Sequence, residues 1–134
     1  MHDVVIVGAG PVGGTLALAI ADADLDVVAL DARPEGQTLR RDRSLALSHG
    51  ARLIFERLGV WCHLAGTPGA VTAIEAIDIS QAGGFGVARL TAEEQGVPAL
   101  GYVVSYLALQ DAIDHVLART RTVVRYGAAV ARVG

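Results

Sequence analysis

Apolar residues occur in short runs separated by glycine-rich or polar stretches, which is typical of alternating strands and helices. Residues 3–7 and 26–30 are apolar runs, mainly of valine, after an initial aspartate, and they predict strands buried on both faces of a parallel sheet. Between them, residues 8–14 predict a turn, and residues 15–23 predict a buried helix rich in alanine and leucine. Strand, turn, helix and strand together make a βαβ unit with an expected right-handed crossover.

The rest of the chain predicts further short elements around a hairpin. In order, these are a polar loop at 32–43, a strand at 44–48, a helix at 51–58 stopped by Gly59, hairpin strands at 73–79 and 86–90, a strand at 102–105, an amphipathic helix at 107–119, a strand at 122–126 and the start of another at 128–133. We expect the parallel sheet to be ordered around residues 4–7, with 26–30 and 122–126 as its neighbours. The hairpin 73–90 should lie outside that sheet.

Composition narrows the class of protein. The chain has 134 residues, of which 52% are hydrophobic and 19% charged, so it can bury a core and is not disordered. Its net charge of −3 gives no support to a nucleic-acid partner. A single cysteine excludes an internal disulfide, and the scattered histidines have no metal-ligand spacing. Residues 4–21 carry no charge, but the glycines and the proline within them argue against a membrane span.

A glycine-rich motif follows the first predicted strand. Residues 8–13, Gly-Ala-Gly-Pro-Val-Gly, match the pattern G-x-G-x-x-G, in which glycines permit a tight turn, the approach of a pyrophosphate and close helix–strand packing. Asp31 ends the next strand 18 residues after Gly13, where a ribose-binding carboxylate is expected. The motif therefore predicts a dinucleotide site. The alternative is a turn in some other α/β protein, with Asp31 as a solvated strand end.

Four segments carry a resemblance to a known family: residues 4–13 (VVIVGAGPVG), 43–48 (RSLALS), 58–61 (LGVW) and 100–104 (LGYVV). On these segments the chain resembles the N-terminal part of the FAD-dependent aromatic hydroxylases, the group of p-hydroxybenzoate hydroxylase. Residues 77–80, 83–86 and 92–94 are most similar to the branch that hydroxylates ubiquinone precursors. A large excursion between residue 31 and the helix–strand pair at 107–126 also suits this family better than a simple NAD dehydrogenase, in which a third strand soon follows the second.

The resemblance implies a Rossmann-like FAD-binding domain of the glutathione-reductase type with an inserted β-hairpin region. It implies a monooxygenase that uses FAD, NAD(P)H as reductant, O₂ and an aromatic substrate, which would be a phenolic and prenylated ubiquinone precursor. We expect a cytoplasmic protein, with peripheral contact to the inner membrane or to a ubiquinone-biosynthesis complex as a further expectation.

The resemblance also implies which residues bind FAD, although it assigns no catalytic residue. They are Gly8, Gly10, Pro11, Val12 and Gly13 at the pyrophosphate, Asp31 with Ala32 and Arg33 at the ribose, Arg43 at the flavin nucleotide, Gln110 facing the phosphates and Val130 at the adenine. Alternative interpretations stay open for three of them: a solvated loop for Arg43, an exposed helix surface for Gln110 and strand core for Val130. Ser105 and Tyr106 depart from the glutamate and asparagine usual in the family.

Family members are roughly three times as long as this chain, in a two-part architecture of cofactor and substrate regions. We therefore expect residues 1–134 to be an incomplete FAD-binding domain, without the segment at the flavin ring and without most of the substrate region. Alone it should be catalytically inactive. Two other functions remain as alternatives: an NAD(P)-binding dehydrogenase module and a non-catalytic nucleotide-binding fragment.

Overall fold

The computed structural model describes residues 1–37, 41–84 and 86–133, so part of the predicted 32–43 loop and Phe85 of the 83–86 segment lie outside the described residues. The strands are β1 (Val4–Val7), β2 (Val27–Leu30), β3 (Ser44–Ser48), β4 (Val71–Ile74), β5 (Ala76–Ser80), β6 (Val87–Thr91), β7 (Gly101–Ser105) and β8 (Val123–Arg125). The helices are α1 (Pro11–Ala19), α2 (His49–Arg57), α3 (Trp61–Gly66) and α4 (Tyr106–Leu117). The predicted α/β class is confirmed.

A three-stranded parallel sheet runs in the order β1-β2-β8, with Val28 of β2 aligned with Val5 on one side and Val123 on the other. The expected order was wrong, because β2 rather than β1 is the central strand. Burial follows this arrangement: Val28 is 2% exposed, whereas Val5 is 52% exposed. The pattern of residues could not decide the order, because both runs are equally apolar.

Two antiparallel sheets, together with α2 and α3, make up the excursion between β2 and α4. Strands β3, β7 and β4 pair in that order, and β5 and β6 form a separate two-stranded sheet. The hairpin therefore lies outside the parallel sheet, as predicted. Its boundaries were wrong, because it begins at Ala76 and Ala73 instead belongs to β4, opposite Tyr102.

Helix α1 begins four residues earlier than predicted. Pro11 occupies its first position, where a missing N–H costs nothing because the helix has no partner for it there. Gly13 and Gly14 thus lie inside the helix. A Cβ on Gly13 would fall 1.9 Å from the carbonyl oxygen of Gly8, and one on Gly14 would fall 2.6 Å from Cγ2 of Ile113. These glycines let α1 lie directly against the turn and against α4.

Two other local predictions need correction. The short helix α3 follows Gly59, whose φ of +72° ends α2, and the sequence pattern had not indicated it. Residues 128–133 form no strand. The chain there leaves β8 after Gly127 and Ala128 donate backbone hydrogen bonds to Arg33 and Asp31 at the end of β2.

The main core lies between the helices and the sheets. Its largest fully buried side chains are Leu64, Leu109, Ile113, Val60 and Val104. Helix α4 supplies two of them, which gives it fixed contacts with α1 and α3. Among the described residues, none of the helices is long and apolar enough to cross a membrane.

The substitution Gly13→Ala is expected to destabilise the fold, because its methyl group would overlap the carbonyl oxygen of Gly8. Overpacking of this kind costs about 1–3 kcal/mol in the free energy of unfolding. The midpoint of urea denaturation measures the loss. Gly66→Ala is the control, because a Cβ there meets no atom within 4 Å. An unchanged midpoint for Gly13→Ala would contradict the close approach of α1 and the turn.

Candidate functional site

The glycine-rich turn joins β1 to α1 at the carboxyl end of the parallel sheet. Gly8 has a φ of +92°, a conformation that side chains rarely adopt, and its N–H donates to the carbonyl of Leu30 at 2.7 Å. Gly10 precedes α1 and offers no side chain to cap it. The backbone N–H groups of Val12 and Gly13 therefore have no partner within the helix, and the helix dipole adds a partial positive charge at this point. An anion is favoured at such an end.

Asp31 ties the end of β2 to this turn. Its side chain is buried, and the residue is 6% exposed. One carboxylate oxygen accepts the N–H of Ala9 at 2.9 Å, and the other accepts the N–H of Arg33 at 2.8 Å. The interpretation of Asp31 as a solvated strand end was wrong. The exposed Ala32 lies between Asp31 and Arg33 in a bend of the chain.

Gln110 reaches the same turn from α4. It is 3% exposed, so the interpretation as an exposed helix surface was wrong. Its amide nitrogen donates to the carbonyl of Ala9 at 2.9 Å and to a carboxylate oxygen of Asp114 at 2.8 Å. Both partners are acceptors, so the nitrogen must face them and the amide oxygen Oε1 is left buried with no partner among the described residues. A buried oxygen of this kind can accept a hydrogen bond from a ligand.

Arg33 lies between two carboxylates. Its guanidinium nitrogens are 3.2 Å from Asp31 and 3.5 Å from Asp114, and its guanidinium carbon is 5.8 Å from the ring centroid of Tyr126. Arg33, Gln110, Asp114 and Tyr126 line a cavity of about 140 Å³ beside the turn. We call these four residues and Asp31 the Asp31 cluster.

The charges of the Asp31 cluster perturb one another. Burial opposes ionisation of Asp31, but the backbone N–H groups of Arg33 and Ala9 and the guanidinium of Arg33 hold its pKa below the usual value. Burial raises the pKa of Asp114, although hydrogen bonding by Gln110 and the charge of Arg33 oppose the rise. Burial lowers the pKa of Arg33, but its two carboxylate partners outweigh this and raise it, so the guanidinium stays charged.

Arg43 and Val130 lie outside this cavity. Arg43 is exposed, and its guanidinium carbon stacks over the ring of Tyr106 at 4.3 Å from the centroid. Val130 is 37% exposed and belongs to an irregular segment, so the interpretation as strand core was wrong. The structure thus brings Asp31, Arg33, Gln110 and the glycine-rich turn together, while Arg43 forms a second group with Tyr106.

Three residues of the site were missed in the sequence. Asp114 follows Gln110 by one helical turn, and that spacing could have indicated a shared partner on α4. Tyr126 follows β8 directly, but its position beside Arg33 depends on the pairing of β8 with β2. Tyr106 was noted only as a departure from the family pattern. Among the described residues, no three His, Cys, Asp or Glu side chains are placed to hold a metal ion.

These residues could hold one end of a dinucleotide. The open backbone over Gly10, where the nearest atom to a built Cβ is 3.9 Å away, leaves room for a phosphate beside uncapped N–H groups. The carboxylate of Asp31 and the unpartnered oxygen of Gln110 supply acceptors for ribose hydroxyls or an adenine amine.

The pH dependence of stability should report the charge on Asp31. Because its pKa is lowered in the folded chain, Asp31 stabilises the fold above the usual pKa, and this contribution is lost as the pH falls through the lowered value. Asp31→Asn should cost about 1–3 kcal/mol at pH 7, because an amide NH₂ would face a backbone N–H. The difference in unfolding free energy between Asp31→Asn and the unmodified chain should shrink below pH ~4. Unfolding free energies measured between pH 2.5 and 7 test this, and a constant difference would contradict it.

Comparisons with known proteins give relatives of much greater length. No family model matches the chain. The chain is 31% identical over 114 residues to the ubiquinone hydroxylase UbiL of Rhodospirillum rubrum, a match that covers 83% of this chain and 26% of UbiL. The crystal structure of the p-nitrophenol 4-monooxygenase PnpA of Pseudomonas putida superimposes with a TM-score of 0.68 at 18% identity, over 92% of this chain and 31% of PnpA.

A third match was solved with its ligands. The crystal structure of the flavin-dependent monooxygenase PieE, in complex with FAD and substrate, superimposes with a TM-score of 0.62 at 22% identity, over 95% of this chain and 24% of PieE. The chain therefore spans about a quarter to a third of the proteins that it matches. It has the α/β fold of a part of the flavin-dependent monooxygenases and is similar in sequence to a ubiquinone hydroxylase over most of its length.

Proposed function

We propose that residues 1–134 are the N-terminal part of an FAD-binding domain in a flavin-dependent aromatic hydroxylase. The whole protein would use NAD(P)H and O₂ to hydroxylate a phenolic, prenylated ubiquinone precursor, most like the 2-octaprenyl-6-methoxyphenol hydroxylases. The observation that carries the proposal is the convergence of Asp31 and Gln110 on the turn at Ala9. The sequence similarity to UbiL supports the ubiquinone branch.

Each part of the site would hold a different part of FAD. The N–H groups of Val12 and Gly13 would donate to the diphosphate, and the carboxylate of Asp31 would accept the ribose hydroxyls. The unpartnered oxygen of Gln110 would accept a further hydroxyl or amine donor. Bound FAD would supply the redox chemistry, with electrons from NAD(P)H, one oxygen atom of O₂ entering the aromatic ring and the other leaving as water.

The reaction itself would need groups beyond these residues. The described part of the chain offers a site for the adenosine and diphosphate end of FAD, and we assign no catalytic residue. A reactive flavin requires a site that excludes water. We therefore propose that residues 1–134 alone bind nucleotide but do not hydroxylate a phenol. The proposed location is the cytoplasm, with peripheral contact to the inner membrane or to a ubiquinone-biosynthesis complex.

Binding measurements on the purified chain test the proposed cofactor. Calorimetric titrations with FAD, ADP and NAD⁺ should show binding of all three, with the shared adenosine diphosphate part supplying most of the affinity and with FAD bound at least as tightly as NAD⁺. The protein containing this segment at full length should retain a flavin absorbance spectrum after dialysis. Tight binding of NAD⁺ with none of FAD would favour the dehydrogenase module, and binding of no nucleotide would overturn the proposal.

The ligand-binding role of Asp31 can be separated from its structural role by removing a ribose hydroxyl from the ligand. Asp31→Ala should weaken the binding of FAD and of ADP by about 1.5–3 kcal/mol, the range for a lost charge-assisted hydrogen bond. The unmodified chain should bind ADP more tightly than 2′-deoxy-ADP, and Asp31→Ala should lose that preference. Asp26→Ala, at the other end of the second strand, is the matched control and should keep it. If Asp31→Ala weakens the binding of ADP and of 2′-deoxy-ADP equally, Asp31 acts only by holding the turn.

A further inference from the structure

We infer that Asp114 is a specificity-determining residue, which holds Arg33 in an ion pair and thereby keeps nucleotides with a 2′-phosphate out of the site. The inference rests on the proposed function and deepens it, because it names the class of nucleotide that the site rejects. That class includes NADP(H), which shares its adenosine diphosphate end with FAD. No motif in the sequence marked Asp114 for this role.

Arg33 lies beside the carboxylate that is proposed to receive the ribose. Oδ2 of Asp31 accepts the N–H of Ala9 and is 3.2 Å from Nη2 of Arg33. If Asp31 accepts the ribose hydroxyls, a phosphate on the 2′ oxygen would come next to this guanidinium. An arginine near the ribose is the group that accommodates a 2′-phosphate in dinucleotide sites that bind NADP. Arg33 taken alone would therefore favour NADP(H).

Asp114 occupies the other end of the same guanidinium. Its Oδ2 is 3.5 Å from Nη1 of Arg33, whereas Asp31 is next to Nη2. The carbonyl of Ala9 accepts a further hydrogen bond from Nη2 at 3.4 Å. Both terminal nitrogens of Arg33 therefore already have acceptors within the chain. A phosphate could take both nitrogens only by displacing a carboxylate.

A second hydrogen bond holds Asp114 in this position. Its Oδ1 accepts an N–H of Gln110, one helical turn earlier on α4, at 2.8 Å. Gln110 is 3% exposed and is itself anchored to the carbonyl of Ala9 at 2.9 Å. The carboxylate of Asp114 cannot turn away from Arg33 without straining or losing this hydrogen bond. The ion pair is thus part of the network that holds the turn.

The balance of charge around the cavity opposes a further anion. Asp31 and Asp114 set two negative charges against the single positive charge of Arg33. Asp111 adds another negative charge at the wall of the cavity, where Arg33 is the only cationic side chain among the described residues. A 2′-phosphate would bring about two more negative charges, whereas an unmodified ribose brings none. The site therefore favours the unmodified ribose.

Partial burial makes this repulsion effective. The side chains of Arg33 and Asp114 are only 21% and 32% exposed, so solvent and salt screen their charges incompletely. Without the charge of Asp114, the remaining charges of Asp31 and Arg33 would cancel, and one end of the guanidinium would be open to a phosphate. Asp114 thus changes the preference that Arg33 would otherwise give to the site.

Paired titrations with adenosine 5′-monophosphate (AMP) and adenosine 2′,5′-bisphosphate test the inference, because these ligands differ only in the 2′-phosphate. Calorimetry on the unmodified chain should show that AMP binds more tightly than the bisphosphate. In Asp114→Asn, the affinity for the bisphosphate relative to AMP should rise about tenfold, because Arg33 exchanges a charged partner for a ligand phosphate. The asparagine oxygen can still accept the N–H of Gln110. A merely damaged fold would weaken both ligands and would not raise this ratio.

Asp111→Asn is the matched control, because it removes the same charge from the same helix and cavity. Asp111 is exposed and forms no ion pair with Arg33 within the described part of the chain. Its substitution should change the ratio of the two affinities less than about twofold, since an exposed charge is well screened. A rise as large as that in Asp114→Asn would show a general effect of charge and overturn the role of the ion pair.

The dependence on salt gives a second readout that needs no variant. In the unmodified chain, the preference for AMP over the bisphosphate should narrow from low to high salt, because salt screens the repulsion between carboxylates and phosphate. If AMP binds but the preference is absent or independent of salt, the inference is overturned while the proposed function stands. An unchanged ratio in Asp114→Asn has the same meaning. If the unmodified chain binds neither ligand, both the proposed function and this inference fail.

Discussion

The backbone of Ala9 is the point on which the site depends. Its N–H is bound by the carboxylate of Asp31, and its carbonyl is bound by the amide of Gln110. These two side chains come from β2 and α4, which are distant in sequence and adjacent in the fold. One buried residue thus fixes the turn to the central strand and to the long helix at once. Loss of the Asp31 carboxylate would leave the buried N–H of Ala9 unsatisfied, whereas the carbonyl of Ala9 also accepts a longer bond, at 3.4 Å, from the guanidinium of Arg33.

This constraint explains the packing around the turn. The turn can be held so tightly only if α1 approaches it without side chains in the way, and Gly13 and Gly14 provide that approach. Arg33, Gln110 and Asp114 line a polar cavity next to the turn, and the hydroxyl of Tyr106 borders the backbone of Gly10 from α4.

Local features of the fold were largely predictable from the sequence, while the order of strands was not. Strand β3 follows from the alternation of apolar and polar residues. The end of α2 follows from Gly59, because glycine readily adopts the positive φ found there. The central place of β2 follows from tertiary packing, since β1 and β2 have equally apolar sequences. In the site, Gly10 and Asp31 were predicted by motif spacing. Asp114 and Tyr126 were not, because they reach Arg33 only through the packing of α4 and the pairing of β8.

The most direct test of the proposed dinucleotide site is a titration of the ¹⁵N-labelled chain with ADP, followed by two-dimensional NMR. The account predicts that shifts concentrate on the backbone amides of Ala9, Gly10, Val12 and Gly13 and on the side-chain amide of Gln110, while amides of the β5–β6 hairpin stay unchanged. Shifts confined to the hairpin, or no saturable shifts at all, would contradict the claim that this turn binds a nucleotide.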